Sequence, residues 1–144
     1  MTVTSIDELR AALREMLAAQ RRMRGREAQR TGGLSFSQHA VLRVLADGGV
    51  HSAGELAKET DLTPASMTKM LDGLSAAGLL ERVRDEADRR RVAVVITDAG
   101  RAVHAEKEAE IRAAYERVLE DVDDDEIAAM ASALRRVAAF YDAL

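Results

Sequence analysis

Residues 52–78 read SAGELAKETDLTPASMTKMLDGLSAAG. Two helix starts stand close together in this stretch. The first is Ser52-Ala53-Gly54-Glu55, a capping box: the serine hydroxyl accepts from the amide three residues on, and the glutamate reaches back to the serine amide. The second is Thr63-Pro64, a capping hydroxyl before a proline at the first helical position, where no amide partner is needed. The spacing predicts a short helix over 53–60, a turn over 61–63 and a longer helix over 64–77. Met67, Met70, Leu71 and Leu74 form the inner stripe of the longer helix, and Gly78 closes it. Leu56, Ala57, Leu62, Met67 and Leu71 are expected to hold the two helices together, with Ala57 small where they cross. The pattern is a helix-turn-helix.

Downstream the period changes from helical to roughly two. Leu79 to Arg84 is one candidate strand, and Val92 to Thr97, rich in β-branched residues, is a second. The link from Asp85 to Arg91 is short and polar, so the strands are expected to pair as a hairpin. Thr97-Asp98 then caps a long helix containing Val103, Ile111, Tyr115, Val118 and Leu119. A further box, Asp123 to Glu126, starts a last helix. Its Ile127, Met130, Leu134, Val137, Tyr141 and Leu144 alternate by three and four, a heptad seam.

Upstream, Ser35-Phe36-Ser37-Gln38 opens a helix over about 36–47, with Val41, Leu42 and Leu45 inside and Gly48-Gly49 behind it. Farther back, Ser5-Ile6-Asp7-Glu8 reads as another capping box before a helix over about 6–30, whose stripe is Ile6, Leu9, Leu13, Met16 and Met23. Gly32-Gly33 ends that region. The seams of the first and last regions are narrow, and such a seam buries itself against another long helix. A homodimer is the economical solution.

The expected fold is therefore mainly α: a winged helix-turn-helix lobe with a small β-hairpin wing, plus long N- and C-terminal helices forming a dimerisation region. A single domain over 1–144 is expected, with the lobe at 31–97 and the dimerisation helices at 1–30 and 98–144. Composition agrees, since aromatics are only 3% and a single proline accompanies abundant Ala, Leu, Glu and Arg,. No signal pattern or bilayer-length apolar run is present, so a cytoplasmic protein with no membrane partner is expected. Cysteine is absent, which excludes disulfides, thiolate nucleophiles, cysteine-ligated zinc and thiol redox switching,.

The formal net charge of -4 conceals an uneven distribution. Residues 1–30 carry seven arginines against four acids, whereas residues 98–144 carry six basic residues against twelve acids. Arginines cluster at 21–26 and at Arg89-Arg90-Arg91. A mildly acidic chain binds nucleic acid when its basic groups share one face. The basic run from Arg21 to Arg30 reads either as a second DNA-facing patch or as the favourable basic end of the first helix.

The helix-turn-helix running into Gly78-Leu79-Leu80-Glu81-Arg82, and the wing from Asp88-Arg89-Arg90-Arg91 through Thr97-Asp98-Ala99-Gly100-Arg101, resemble the MarR family of transcriptional regulators. The resemblance covers nearly the whole chain. It is similar to the family in its D-x-R wing, the following strand and threonine, and the A-G-R helix start. The resemblance implies a ligand-responsive repressor that binds double-stranded operator DNA, a pseudo-palindrome, as a homodimer, and it implies no enzyme activity. It also implies that Arg90 enters the minor groove while Asp88 pairs with an arginine and orients it. A guanidinium suits a narrow A·T-rich minor groove, where the potential is most negative. Arg84 and Arg89 are candidates for phosphate contacts or for the partner of Asp88. The other reading of the three arginines is a solubilising edge of the hairpin.

A recognition helix enters the major groove with its N-terminal turns leading. Ala65, Ser66, Thr68, Lys69 and Asp72 form the outward face of the 64–77 helix, behind its cap Thr63. Ser66 and Thr68 are expected to donate to phosphate or base, Ala65 or Thr68 to touch a thymine methyl, and Lys69 to reach a guanine or phosphate. Ser37, Gln38 and His39 open the preceding helix and are candidates to anchor it on the DNA backbone. The family's small aromatic or anionic effectors bind between the dimer helices and the DNA-binding lobe, where Met16, Phe36, His39, Arg43 and Tyr115 are candidates. An alternative function is a winged-helix protein–protein interaction module without DNA binding.

No cofactor or metal is expected. His39, His51 and His104 lie on three different elements without a close ligand spacing, and His104 and Glu106 project to different helix faces. The run Asp121 to Glu126 lacks the glycine and alternate oxygens of a calcium loop. No nucleophile–base or carboxylate pair emerges.

Overall fold

The computed structural model of the chain describes residues 3–27, 29 and 32–144. In chain order it contains helix α1 (Val3–Glu27), α2 (Phe36–Ala46), α3 (Ala53–Thr60), α4 (Pro64–Ala76), strands β1 (Leu80–Arg84) and β2 (Val92–Ile96), and helices α5 (Asp98–Val118) and α6 (Asp124–Asp142). The fold is mainly α with a two-stranded hairpin, as the sequence patterns predict. Two compact units divide between Lys107 and Glu108, so the first turns of α5 belong to the first unit.

Four of the helix starts form as read. Ser35, Ser52, Thr63 and Asp123 have extended backbones, and each side chain accepts from the amide three residues on. Gln38, Glu55 and Glu126 return a bond to the cap amide at 2.9, 3.0 and 3.4 Å. The Ser5 box does not form, because α1 already begins at Val3 and Ser5 lies inside it. The S-x-x-E pattern is also compatible with a helix interior, and no Gly or Pro precedes it to stop the helix extending backwards. The end expected near residue 30 falls partly on 28, 30 and 31, which lie outside the described residues.

In the first unit, Val41, Leu42 and Leu45 of α2, Leu56 and Ala57 of α3, Met67, Leu71 and Leu74 of α4, and Leu80, Val94 and Ile96 of the hairpin make one core. Asp61 ends α3 in the left-handed region at φ 53°, which a short polar side chain tolerates. Gly78 ends α4 at φ 74°. There the Leu79 amide donates to Leu74 O at 3.0 Å and the Gly78 amide to Ser75 O at 2.9 Å, the two bonds of a Schellman end. The chain then enters the hairpin, in which Leu80 faces Ile96 and Arg84 faces Val92. On the other side of β2, the Val94 amide donates to His51 O at 2.8 Å.

Thr97 joins hairpin, α4 and α5. Its hydroxyl donates to Gly78 O at 2.6 Å and accepts from the Gly100 amide at 3.0 Å. Gly100 is required by close approach: a Cβ there would stand 2.0 Å from Leu79 O.

In the second unit, Asp123 of the acidic run caps α6. Helix α6 contains no buried residue, and Met130, Leu134 and Tyr141 of its seam are exposed. No helix among the described residues is long and apolar enough to cross a membrane.

Candidate nucleic-acid interface

Helix α4 turns Met67, Leu71 and Leu74 into the core. The 3.6-residue period therefore exposes Ala65, Ser66, Thr68, Lys69 and Asp72,. Thr63 Oγ1 accepts from the Ser66 amide at 3.2 Å and donates to Ser66 Oγ at 2.9 Å. Thr68 Oγ1 donates to Pro64 O at 3.0 Å. Of these three hydroxyls, only that of Ser66 keeps its proton without an acceptor among the described residues. This narrows the expectation that both Ser66 and Thr68 donate outward. Thr68 satisfies its hydroxyl within the helix and offers its methyl group, which suits a thymine methyl.

At the start of α2 the three expected anchors separate. Ser37 is half-buried, whereas Gln38 Oε1 is taken by the Ser35 amide. His39 is buried, and its ring stacks on that of His104 with centroids 4.8 Å apart and planes 8° from parallel. The sequence reading kept the histidines on separate elements, and the fold brings two of them together. His39 is thus a helix-packing residue joining α2 to the first turns of α5. The His104 Nε2 and His51 Nε2 atoms are buried without a hydrogen-bond partner among the described residues.

The candidate effector residues are dispersed among several elements. Met16 is exposed on α1 and Arg43 on α2. Phe36 lies under the Lys107 ammonium, which stands 5.3 Å from the ring centroid. The Phe36 amide donates to Glu27 Oε1 at 2.9 Å, tying the end of α1 to the start of α2. Tyr115 belongs to the second unit.

The wing loop carries acids beside its arginines. Asp85 Oδ1 accepts from the Ala87 amide at 2.9 Å, and Asp88 Oδ1 accepts from the Arg90 amide at 3.1 Å. Both are Asx-type turns, in which a carboxylate folds the loop back on itself. Asp88 therefore orients Arg90 through its backbone, not by pairing with a guanidinium as the resemblance implied. The Arg91 amide closes the same turn on Asp88 O at 2.9 Å. Arg84, Arg89 and Arg90 are exposed and have no ion-pair partner among the described residues.

Two further charged pairs were not foreseen. Arg82 of β1 meets Asp72 of α4 at 2.6 Å, and Arg91 meets Glu55 of α3 at 2.6 Å. Asp72, expected simply on the outward face, is thus neutralised by the strand beside it. The third arginine of the run is likewise engaged with the helix-turn-helix. The Ser52 amide, and then the Arg91 guanidinium, hold the Glu55 carboxyl below its ordinary value. The same contact holds the Arg91 guanidinium above its own. These partners lie ten and 36 residues apart in sequence, beyond any local spacing rule.

A family model described as the MarR family matches residues 32–91, from the glycines before α2 to the end of the wing loop. The HTH-type transcriptional repressor YetL of Bacillus subtilis (strain 168) is 36% identical over 72 residues, which cover 49% of this chain and 43% of that protein. The aligned part is therefore less than half the length of that relative. The structure of a MarR family protein from Bacillus stearothermophilus matches with a TM-score of 0.76 at 27% identity, covering 99% of both chains. Bordetella bronchiseptica BpsR, described by the regulation of its DNA binding by 6-hydroxynicotinic acid, matches with a TM-score of 0.69 at 27% identity, covering 91% of this chain and 98% of that one. With the helix-turn-helix and the hairpin wing matched by the family model, and the flanking helices matched in the same order by these structures, the lobe at residues 32–91 is that of the MarR family of winged helix-turn-helix proteins.

Proposed function

We propose that the chain is a transcriptional regulator that binds double-stranded operator DNA as a homodimer. Helix α4 leads with Ala65, Ser66, Thr68 and Lys69 into the major groove, Thr63 and Ser37 lie toward the backbone, and Arg90 of the wing reaches the minor groove. Arg84 and Arg89 take phosphates. The observation that carries this reading is the state of the charges on one lobe. Lys69, Arg84, Arg89 and Arg90 lack ion-pair partners among the described residues, while Asp72, Asp85, Asp88 and Glu55 are engaged within the protein. Unpaired cations, beside two acids neutralised by arginines and two held in the turns of the loop, suit a polyanion.

The dimer reading rests on the exposed seams. Ile6, Leu9, Met16 and Leu17 of α1, and Met130, Leu134, Phe140 and Tyr141 of α6, are exposed in the single chain. Apolar stripes of this length call for a helical partner, and a second copy supplies one through residues 1–30 and 98–144. Two-fold symmetry then demands half-sites about one helical turn apart, that is, ~10 base pairs. The described control of BpsR by 6-hydroxynicotinic acid supports a small aromatic acid as the effector of this repressor.

The test is selection of duplexes from a random pool, followed by titration at fixed salt. A pseudo-palindrome is expected to enrich, and Arg90→Ala is expected to cost on the order of 1–3 kcal/mol of affinity. Unchanged affinity would remove Arg90 from the interface. If no duplex enriches, the protein–protein interaction module becomes the better reading. Aromatic carboxylates added to the titration are expected to release the duplex.

A further inference from the structure

Each strand of the wing is fastened to a different helix of the helix-turn-helix. On β1, Arg82 Nη2 meets Asp72 Oδ1 of α4 at 2.6 Å. At the entry to β2, Arg91 Nη2 meets Glu55 Oε1 of α3 at 2.6 Å. The Glu55 carboxylate is already held before Arg91 arrives. Its Oε2 accepts from the Ser52 amide at 3.0 Å and lies 4.0 Å from His51 Nδ1. The His51 carbonyl in turn accepts from the Val94 amide of β2 at 2.8 Å. One short segment, 51–55, thus grips β2 by a backbone bond and by a fixed carboxylate. Arg91 also anchors the loop, because its carbonyl accepts from the Asp85 amide at 3.1 Å and its amide donates to Asp88 O at 2.9 Å.

We propose that Glu55 and Arg91 are positioning residues that latch the wing to the first helix of the helix-turn-helix and so set where Arg89 and Arg90 stand relative to α4. The inference rests on the DNA-binding reading above and refines it: Arg91 is withheld from the phosphates. An exposed ion pair adds little to global stability, since screening and side-chain entropy offset most of it. This pair differs in having one partner fixed beforehand by a helix cap. It constrains a direction, because the cap orients Glu55 and the Asx turns orient the loop that carries Arg91.

The latch and a direct phosphate contact predict opposite signs for one substitution. Glu55→Gln keeps the capping function, since glutamine serves at that position, and removes the charge that holds Arg91. If Arg91 is a positioning residue, Glu55→Gln and Arg91→Ala each weaken binding to the selected duplex about two- to fivefold, the range of an exposed pair. The double variant is then no worse than either single one. The slope of log affinity against log salt stays unchanged in all three, because no phosphate contact is lost. If Arg91 is a phosphate contact instead, Glu55→Gln releases it and tightens binding, while Arg91→Ala lowers the slope by about 0.9. That pattern would overturn the proposal.

A DNA-free measurement separates failure of the latch from failure of the DNA-binding reading. The chain has no cysteine, so spin labels at Ala87→Cys in the wing loop and Lys58→Cys on α3 report one distance per chain, with the labelled chain diluted into unlabelled protein. The latch predicts a narrow distribution that broadens with Glu55→Gln and with Arg91→Ala and narrows again with Arg91→Lys. An unchanged distribution in Glu55→Gln and Arg91→Ala refutes the latch whether or not any duplex is bound.

Discussion

Gly100→Ala adds one methyl group at the point where α5 leaves the hairpin. The added Cβ would stand 2.0 Å from Leu79 O, 2.9 Å from Leu79 C and 2.8 Å from Ile96 Cγ1. A normal carbon–oxygen contact needs about 3.3 Å or more, so the two backbone segments must part by more than an ångström. Neither is free to move. The Leu79 amide is bonded to Leu74 O at 3.0 Å, and Leu79 O accepts from the Thr97 amide at 3.2 Å. Thr97 also caps α5 through the Gly100 amide at 3.0 Å. Overpacking of this kind costs about 1–3 kcal/mol, and loss of the cap about 1 kcal/mol more. The gain in helix propensity from glycine to alanine is at most about 1 kcal/mol. The net expectation is a loss of about 1–3 kcal/mol. At about 2–4 °C per kcal/mol for a chain of this size, Tm falls by about 2–12 °C. Thermal unfolding followed by far-ultraviolet circular dichroism, at one fixed protein concentration, measures this. Gly25→Ala is the control, because a Cβ at Gly25 meets nothing within 4 Å, and it should hold or raise Tm. A Gly100→Ala protein that melts at or above the wild type would refute the steric argument.

Leu42 is fully buried at the centre of the core, so Leu42→Ala should lower stability by about 2–5 kcal/mol in denaturant titration. Leu134→Glu places a charge in the exposed seam of α6; sedimentation should show a shift from dimer to monomer, and an unchanged mass would remove this seam from the interface. Glu55 has its pKa depressed below the ordinary 4.5 by the Ser52 amide and Arg91. Its contribution is therefore complete above the unfolded value and is lost as pH falls through the lower folded value. The Tm difference between wild type and Glu55→Gln should be constant near neutral pH and vanish in that acidic window. A difference that instead grew on acidification would contradict the assignment.

The elements of the winged helix-turn-helix lobe and the start of α6 were legible because their signals are local. Ser35, Ser52, Thr63 and Asp123 each act on an amide three residues away, a distance set by helix geometry alone. Gly78 marks a left-handed helix end, and the β-branched run after Arg91 marks a strand. Ser5 shows the weakness of the same signal: S-x-x-E also occurs within a helix, and nothing local distinguishes the two. The exposed face of α4 followed from the period of Met67, Leu71 and Leu74. What each hydroxyl on that face does was less legible, because Thr68 had a carbonyl four residues back to choose instead of solvent.

The sequence by itself determined the order of elements, the inward stripe of α4 and the placement of a basic loop after the helix-turn-helix. Those features depend on neighbours a few residues away, whose geometry is fixed by the helical and strand repeats. Only the tertiary structure decided which arginine of Arg89-Arg90-Arg91 meets a carboxylate, that His39 meets His104, that Asp72 is neutralised by Arg82, and that a Cβ at residue 100 would meet Leu79 O. Each of these is a meeting of side chains or backbones brought within a few ångströms by core packing, between positions that share no periodicity. Three adjacent arginines look alike in sequence, and the fold distinguishes them by placing the Glu55 carboxylate 2.6 Å from Arg91.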